Sequence, residues 1–307
     1  TALSLLSLLL FKERSQTPEV TRMHKFMTRR RFHIIWTTVL ITILALFFLF
    51  PLVWMIVSSM KPESQIYANI SNFKAFLPSG HISDWGKAYV SIFHRFPVMR
   101  YILNSVFYAT SVTIGSIVVN ALAGYGFAKF NFTGRKLLFG LLIALLVIPG
   151  TTLLIQQFQI AKTIGILNTP LAVILPGISS PFYIYMFRNA FAAIPDSITE
   201  AAELDGASNL RIFWNILLPM TLPTVATVGT LSFIGSWNDY VWPLMVLTNS
   251  DQFPLQVAIT NINSTNPVYM NQVMAILTIS TVPLVLVYIF FQKYLTQGMG
   301  SAGNGDK

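Results

Sequence analysis

The segment IPDSITEAAELDGASNLRIFWNILLP, residues 194–219, gathers Glu200, Glu203, Asp205 and Arg211 in a chain of which only 10% is charged. A soluble globular domain carries about 25% charged residues. Pro195-Asp196 reads as a helix start, with Asp196 placed to cap it and to favour the helix dipole. Thr199-Glu200-Ala201-Ala202-Glu203-Leu204 is strong helix former with a small-residue face. Asp205-Gly206 stops that helix, because glycine enters the left-handed region without a steric penalty. A second helix over 208–218 is expected to end before Pro219. The segment is therefore a short helix, a glycine turn and another helix.

The sequence on either side says where this device sits. Of 307 residues, 54% are hydrophobic. Six stretches are each near the roughly 20 residues that cross a bilayer: 34–57, 101–123, 137–158, 169–187, 222–246 and 273–294. Pro51 and Pro149 lie inside the first and third, and Pro176-Gly177 and Pro181 break the fourth. Proline is tolerated there because neighbouring helices re-satisfy the freed carbonyls. Period-2 alternation is absent, which excludes a β-barrel. The expected fold is an all-α integral membrane protein with six transmembrane helices, 195–219 forming a loop between the fourth and fifth. Residues 34–295 form the membrane domain, 1–33 a poorly ordered cytoplasmic segment and 296–307 a cytoplasmic tail. The apolar run 2–11 is too short to span, and no basic segment precedes it, so it is not read as a signal peptide. Met23 and Met27 are credible starts, and no function is assigned before His33.

Charge orients the spans. The net charge of +9, from 20 Lys and Arg against 11 Asp and Glu, could indicate a nucleic-acid partner. The cations instead collect at span ends. Arg29, Arg30 and Arg31 precede the first span, Lys129, Arg135 and Lys136 fill the connection between the second and third, Arg188 and Arg211 lie between the fourth and fifth, and Lys293 ends the sixth. All fall on one side, which the positive-inside rule makes cytoplasmic. Both termini are then inside. The loop 248–272 on the opposite side has no Lys or Arg.

Several chemistries are absent. There is no cysteine, and His24, His33, His81 and His94 show no metal-binding spacing. No GxxxxGK[ST] phosphate loop occurs, and Gly124-Tyr125-Gly126 reads as close helix packing rather than a nucleotide site. No catalytic residue, metal or cofactor is therefore expected on this chain.

Glu200, Ala201 and Ala202, then Gly206, Ile216, Leu218 and Pro219 at fixed spacing, resemble the EAA signature of binding-protein-dependent ABC importer permeases. Asn104-Ser105, Ala123-Gly124-Tyr125-Gly126-Phe127-Ala128, Ile148-Pro149, Gly165-Ile166-Leu167-Asn168-Thr169 and Gly235-Ser236-Trp237-Asn238-Asp239 resemble its maltose-type, carbohydrate-importing branch. The subunit resembled is the one without the large extra extracytoplasmic domain, and the likeness runs over about 32–295. It implies a type I importer permease in the bacterial or archaeal plasma membrane. It also implies a heterodimer with a second permease of a different chain, two copies of a cytoplasmic ATPase that bind ATP and Mg, an extracytoplasmic sugar-binding protein, surrounding membrane lipid, and no nucleic acid. Glu200, Ala201, Ala202, Leu204, Asp205, Gly206, Ile216, Leu218 and Pro219 would couple to the ATPase. Asn261, Asn263, Ser264, Thr265 and Asn266 would contact the binding protein, the alternative being a solvated connector.

Polar groups inside spans mark solute paths by default, which makes Asn120, Gln156, Gln157, Asn238 and Asp239 the path candidates. Trp237, Tyr240 and Trp242 nearby also fit a membrane interface. The alternatives are an importer permease for glycerol phosphate or peptide, and a secondary transporter or channel. The latter predicts internal repeats and membrane charges, of which only Asp239 is a candidate.

Overall fold

The computed structural model describes residues 18–68 and 72–303, with side chains over 32–68 and 72–293. Of the expected terminal segments, residues 1–17 and 304–307 fall outside these limits, as do the side chains of Arg29, Arg30 and Arg31. Every regular element among the described residues is helical. Among the described residues three helices are long and apolar enough to cross a bilayer, and counting each of three bent helix pairs as one span gives up to six.

The second span, Val98–Lys129, is the central helix, packed on Pro181–Ala192 and Leu222–Asn238. Small residues allow this closeness. A Cβ on Gly124 would lie 2.6 Å from Phe187 Cβ and 2.8 Å from the Arg188 nitrogen, and one on Gly115 would lie 2.7 Å from Ile178. Gly124 is thus a packing residue, whereas Gly126 faces open space.

The first span differs. Its helix, Pro18–Ser59, carries a continuous apolar stretch, Phe32–Ser59, whose most hydrophobic window buries nothing against its own chain. Thr37 and Thr42 donate their hydroxyls to the carbonyls of His33 and Thr38, one turn back, so these two hydroxyls are satisfied within the helix. Burial begins only at its far end, with Val57, Ser58, Ser59 and Lys61. There Lys61 Nζ donates to the carbonyls of Lys74 and Ala75, at 2.8 Å each, and burial lowers its pKa. Glu63 accepts from the backbone N–H groups of Met270 and Asn271 at 2.8 and 3.0 Å. A carboxylate there satisfies free donors at the start of the last helix, Met270–Gly303.

Two expected spans, the third and the fifth, are corrected, and the break expected in the fourth is present. The third bends by 99° between Arg135–Val147 and Gly150–Thr163. Ile148, ahead of Pro149, is driven to extended backbone by the proline ring. The fourth bends by 46° between Pro170–Gly177 and Pro181–Ala192, with Ser180 extended before Pro181 for the same reason. The fifth helix stops at Asn238, and Asp239 is extended before the short helix Val241–Val246. In loop 248–272 the chain forms a further helix, Leu255–Ser264, with Leu255, Val257, Ala258 and Ile262 buried.

Candidate functional site

The first helix of the 194–219 segment is Asp196–Leu204. Its stop follows the expected chemistry. Gly206 has φ +81°. Its N–H donates to the Glu203 carbonyl at 2.9 Å, while the Ala207 N–H reaches the Ala202 carbonyl at 3.0 Å. These two bonds make a Schellman closure. The start does not follow: Pro195 is the cap residue, with no side-chain cap bond, and Asp196 is already helical. Its carboxylate instead meets Lys129 Nζ at 2.6 Å. The ammonium, 7% exposed, also donates to the Ile194 carbonyl at 2.6 Å. Lys129 thereby ties this helix to the end of the second span and holds the Asp196 carboxyl below the usual carboxylate range.

The second helix is corrected too. Asn209–Ile212 runs into a π-turn, Phe213–Leu217, and on through Leu218–Met220, so it passes Pro219 instead of ending before it. A proline ring displaces the carbonyl four residues back, here that of Asn215, and the wider π-turn accommodates this. Ile212, Phe213 and Leu217 are fully buried with Tyr125, Phe187 and Phe191. The segment is therefore bolted into the bundle, and an 83° bend joins it to Leu222–Asn238.

The residues assigned to this surface divide by face. Glu200, Ala201, Asp205, Gly206 and Pro219 are exposed, and Leu204 is 90% exposed. Ala202 is buried, and Ile216 and Leu218 pack on the same core cluster. Ala202, placed in the ATPase-coupling set by the resemblance, thus faces its own chain. Sequence reasoning missed Leu210 and Trp214, both exposed. Their apolar character in a charged loop was the available signal.

At the opposite end, the second span clamps loop 248–272. Arg100 pairs with Asp251. Asn104 Nδ2 donates to the carbonyls of Asp251 and Phe253 at 2.8 and 3.0 Å, and Tyr108 Oη donates to that of Gln252 at 3.0 Å. Ser105 Oγ accepts from the Leu255 N–H at 2.7 Å. Asn104-Ser105 therefore has a physical role in anchoring the loop. Beyond the anchored helix, Asn261, Asn263, Ser264, Thr265 and Asn266 remain as an exposed polar tip.

The path candidates do not converge. Asn120 is fully buried. Its Nδ2 donates to the Ser116 and Ile178 carbonyls at 2.6 and 3.0 Å, and its Oδ1 accepts from the Ser180 N–H at 2.9 Å. It mends the break in the fourth span and is not among the residues lining the cavity beside that break. Gln156 is exposed on a different face from Gln157, and Asn238 donates to its own Ile234 carbonyl at 2.9 Å. Gln157 and Asp239 do share a cavity of about 570 Å³. It lies where the breaks of the third, fourth and fifth spans meet, lined among others by Gly150, Ser180, Tyr183, Ser232 and Ser236. Irregular backbone at membrane depth is tolerated where it lines such a cavity.

A family model described as the binding-protein-dependent transport system inner membrane component matches residues 117–301. An arabinooligosaccharides transport system permease protein of Halalkalibacterium halodurans is 30% identical over 255 residues, covering 83% of this chain and 90% of the relative. A lactose transport system permease protein of Rhizobium radiobacter is 31% identical over 271 residues, covering 88% and 96%. An sn-glycerol-3-phosphate transport system permease protein of Yersinia pestis is 30% identical over 200 residues, covering 64% and 71%. A chain of a bacterial ABC transporter that imports the acidic polysaccharide alginate superposes with a TM-score of 0.75 at 28% identity, covering 87% of this chain and 97% of that one.

Proposed function

The chain belongs to the binding-protein-dependent transport system inner membrane components, and from that premise we propose that it is one permease of an ATP-driven carbohydrate importer. Members of this family are transport permeases and not enzymes. ATP and Mg are bound and used by a partner ATPase, present in two copies, one of which docks on Asp196–Leu204. The observation that carries this reading is that helix itself. It offers Glu200, Ala201 and Leu204 outward, while Lys129 and the buried Phe213 and Leu217 fix it to the second, fourth and fifth spans. A pull on such an element moves the spans it is bolted to, which is the requirement for alternating access.

The remaining partners follow from unpaired surfaces. The first span exposes an apolar surface along 32–53, and the cavity at the helix breaks opens on residues that include the exposed Thr151, Ser179 and Val241. A second permease closes both, and lipid covers the rest. The tip at 261–266 meets an extracytoplasmic binding protein. Residues 194–219 and both termini are cytoplasmic. The arabinooligosaccharide and lactose relatives favour a carbohydrate cargo. The glycerol-phosphate reading has its own relative, but the cavity wall contains no Lys, Arg or His to meet a phosphate.

Reconstitution of the chain with its second permease, ATPase and binding protein tests the reading. Saccharide uptake and stimulated ATP hydrolysis are expected together, and both should collapse in Glu200→Lys. Uptake by this chain alone in liposomes, or normal stimulation in that variant, would refute it.

A further inference from the structure

The cavity at the three helix breaks has one group whose chemistry is incomplete. Ser232 is 5% exposed, and its Oγ has no hydrogen-bond partner. Other hydroxyls on the same helix are satisfied by the carbonyl one turn back: Thr227 Oγ1 donates to Pro223 at 2.8 Å and Thr230 Oγ1 to Ala226 at 2.7 Å. Ser232 makes no such bond and stands in the cavity wall instead. A buried hydroxyl left unpaired is costly, and of the buried unpaired polar atoms among the described residues Ser232 Oγ is the one whose residue lines this cavity, where an entering molecule can supply the missing partner.

The surrounding wall narrows what that partner is. Gln157, Ser179, Tyr183 and Ser236 add amide and hydroxyl groups to it, and Asp239 contributes a carboxylate. Asp239 Oδ1 also accepts from the Trp242 N–H at 3.4 Å, fixing its position at the start of the short helix Val241–Val246. No cation lines the cavity, so a ligand carrying phosphate or carboxylate would meet no counter-charge. A volume of about 570 Å³ is within the range of small-molecule sites.

We propose that this cavity is a saccharide-binding subsite carried by this permease itself, in which Ser232 hydrogen-bonds a hydroxyl of an uncharged sugar. Resting on the carbohydrate-importer reading, it gives this half of the pathway contacts of its own. Gln157, Ser236 and Asp239 supply further polar contacts to the same sugar. The Ser232 oxygen is shielded in this conformation, so contact forms as the broken spans part during the transport cycle.

The chain has no cysteine, so Ser232→Cys places a single thiol at the site. In the assembled transporter in proteoliposomes, with partner subunits freed of reactive cysteines, a methanethiosulfonate reagent should label it during ATP turnover. A panel of lactose, arabinotriose, an alginate trisaccharide and sn-glycerol 3-phosphate is offered with the binding protein. The transported neutral saccharide should slow labelling at least fivefold, with no slowing at a Thr133→Cys control in the exposed connector. In Ser232→Ala, uptake of that saccharide should fall about five- to tenfold, the scale of one lost hydrogen bond. A thiol that never labels, or labels at a rate indifferent to the transported sugar, overturns the subsite. Uptake by the wild type of sn-glycerol 3-phosphate alone overturns instead the carbohydrate reading on which it rests.

Discussion

At the scale of single residues, three positions carry more than their type announces. Asn120 closes the gap in the fourth span by serving the Ile178 carbonyl and the Ser180 N–H. Asn120→Leu strands both in an apolar setting, at a cost on the order of 3 kcal/mol. The expected result is a lower thermal midpoint of the purified complex, measured alongside uptake. A path residue would leave the midpoint unchanged. Gly206 at φ +81° cannot be replaced by proline, whose ring holds φ near −65°. Gly206→Pro should reset the angle between the two helices, so that the chain inserts but co-purifies with little ATPase. Asp196 is depressed chiefly by its bond to Lys129. A carboxylate with a lowered folded-state pKa stabilises above its unfolded pKa, and that contribution is lost as pH falls through the folded value. The stability gap between wild type and Asp196→Asn should therefore be steady at neutral pH and close below about pH 4, near the ordinary carboxylate range. Thermal unfolding followed across pH checks this.

At the scale of elements, the breaks matter more than the spans. Pro149 and Pro181 each force the residue before them into extended backbone, and the freed polar groups either find a side chain, as at Asn120, or line the cavity. The helix Leu255–Ser264 is a second case. Leu255 and Ala258 are sunk beside Trp237 and Ile276, while the Asn- and Ser-rich tip projects. Replacing residues 261–266 by a Gly/Ser stretch leaves most of these anchors in place. Uptake should fall while the binding protein still docks, which co-purification and transport assays separate; unchanged uptake would remove the tip from the mechanism.

At the scale of the whole molecule, two clamped ends enclose a bundle of broken spans. At one end Lys129 and an aromatic cluster hold the helix pair of 194–219. At the other, Arg100, Asn104, Ser105 and Tyr108 hold loop 248–272, and Glu63 and Lys61 tie the first span to the last. One long helix, the second span, reaches both clamps, so displacement at one end reaches the other through a continuous hydrogen-bonded rod. The first span stands outside this arrangement, joined to it mainly at its far end.

Much of this follows from composition and local chemistry. Apolar runs of bilayer length, helix formers before Asp205-Gly206 and prolines inside spans are local signals, because a helix satisfies its own backbone wherever it lies. The membrane fold, the six crossings and the helix–turn–helix at 194–219 were therefore legible from the chain alone. Only tertiary structure decided which face each residue shows. It turned Ala202 inward and Leu204 outward, made Asn120 a clamp, gave Asp196 to Lys129 instead of the helix cap, and brought Gln157, Ser232 and Asp239 to one cavity. Those outcomes depend on contacts between residues far apart in sequence, for which neither periodicity nor residue type carries a signal.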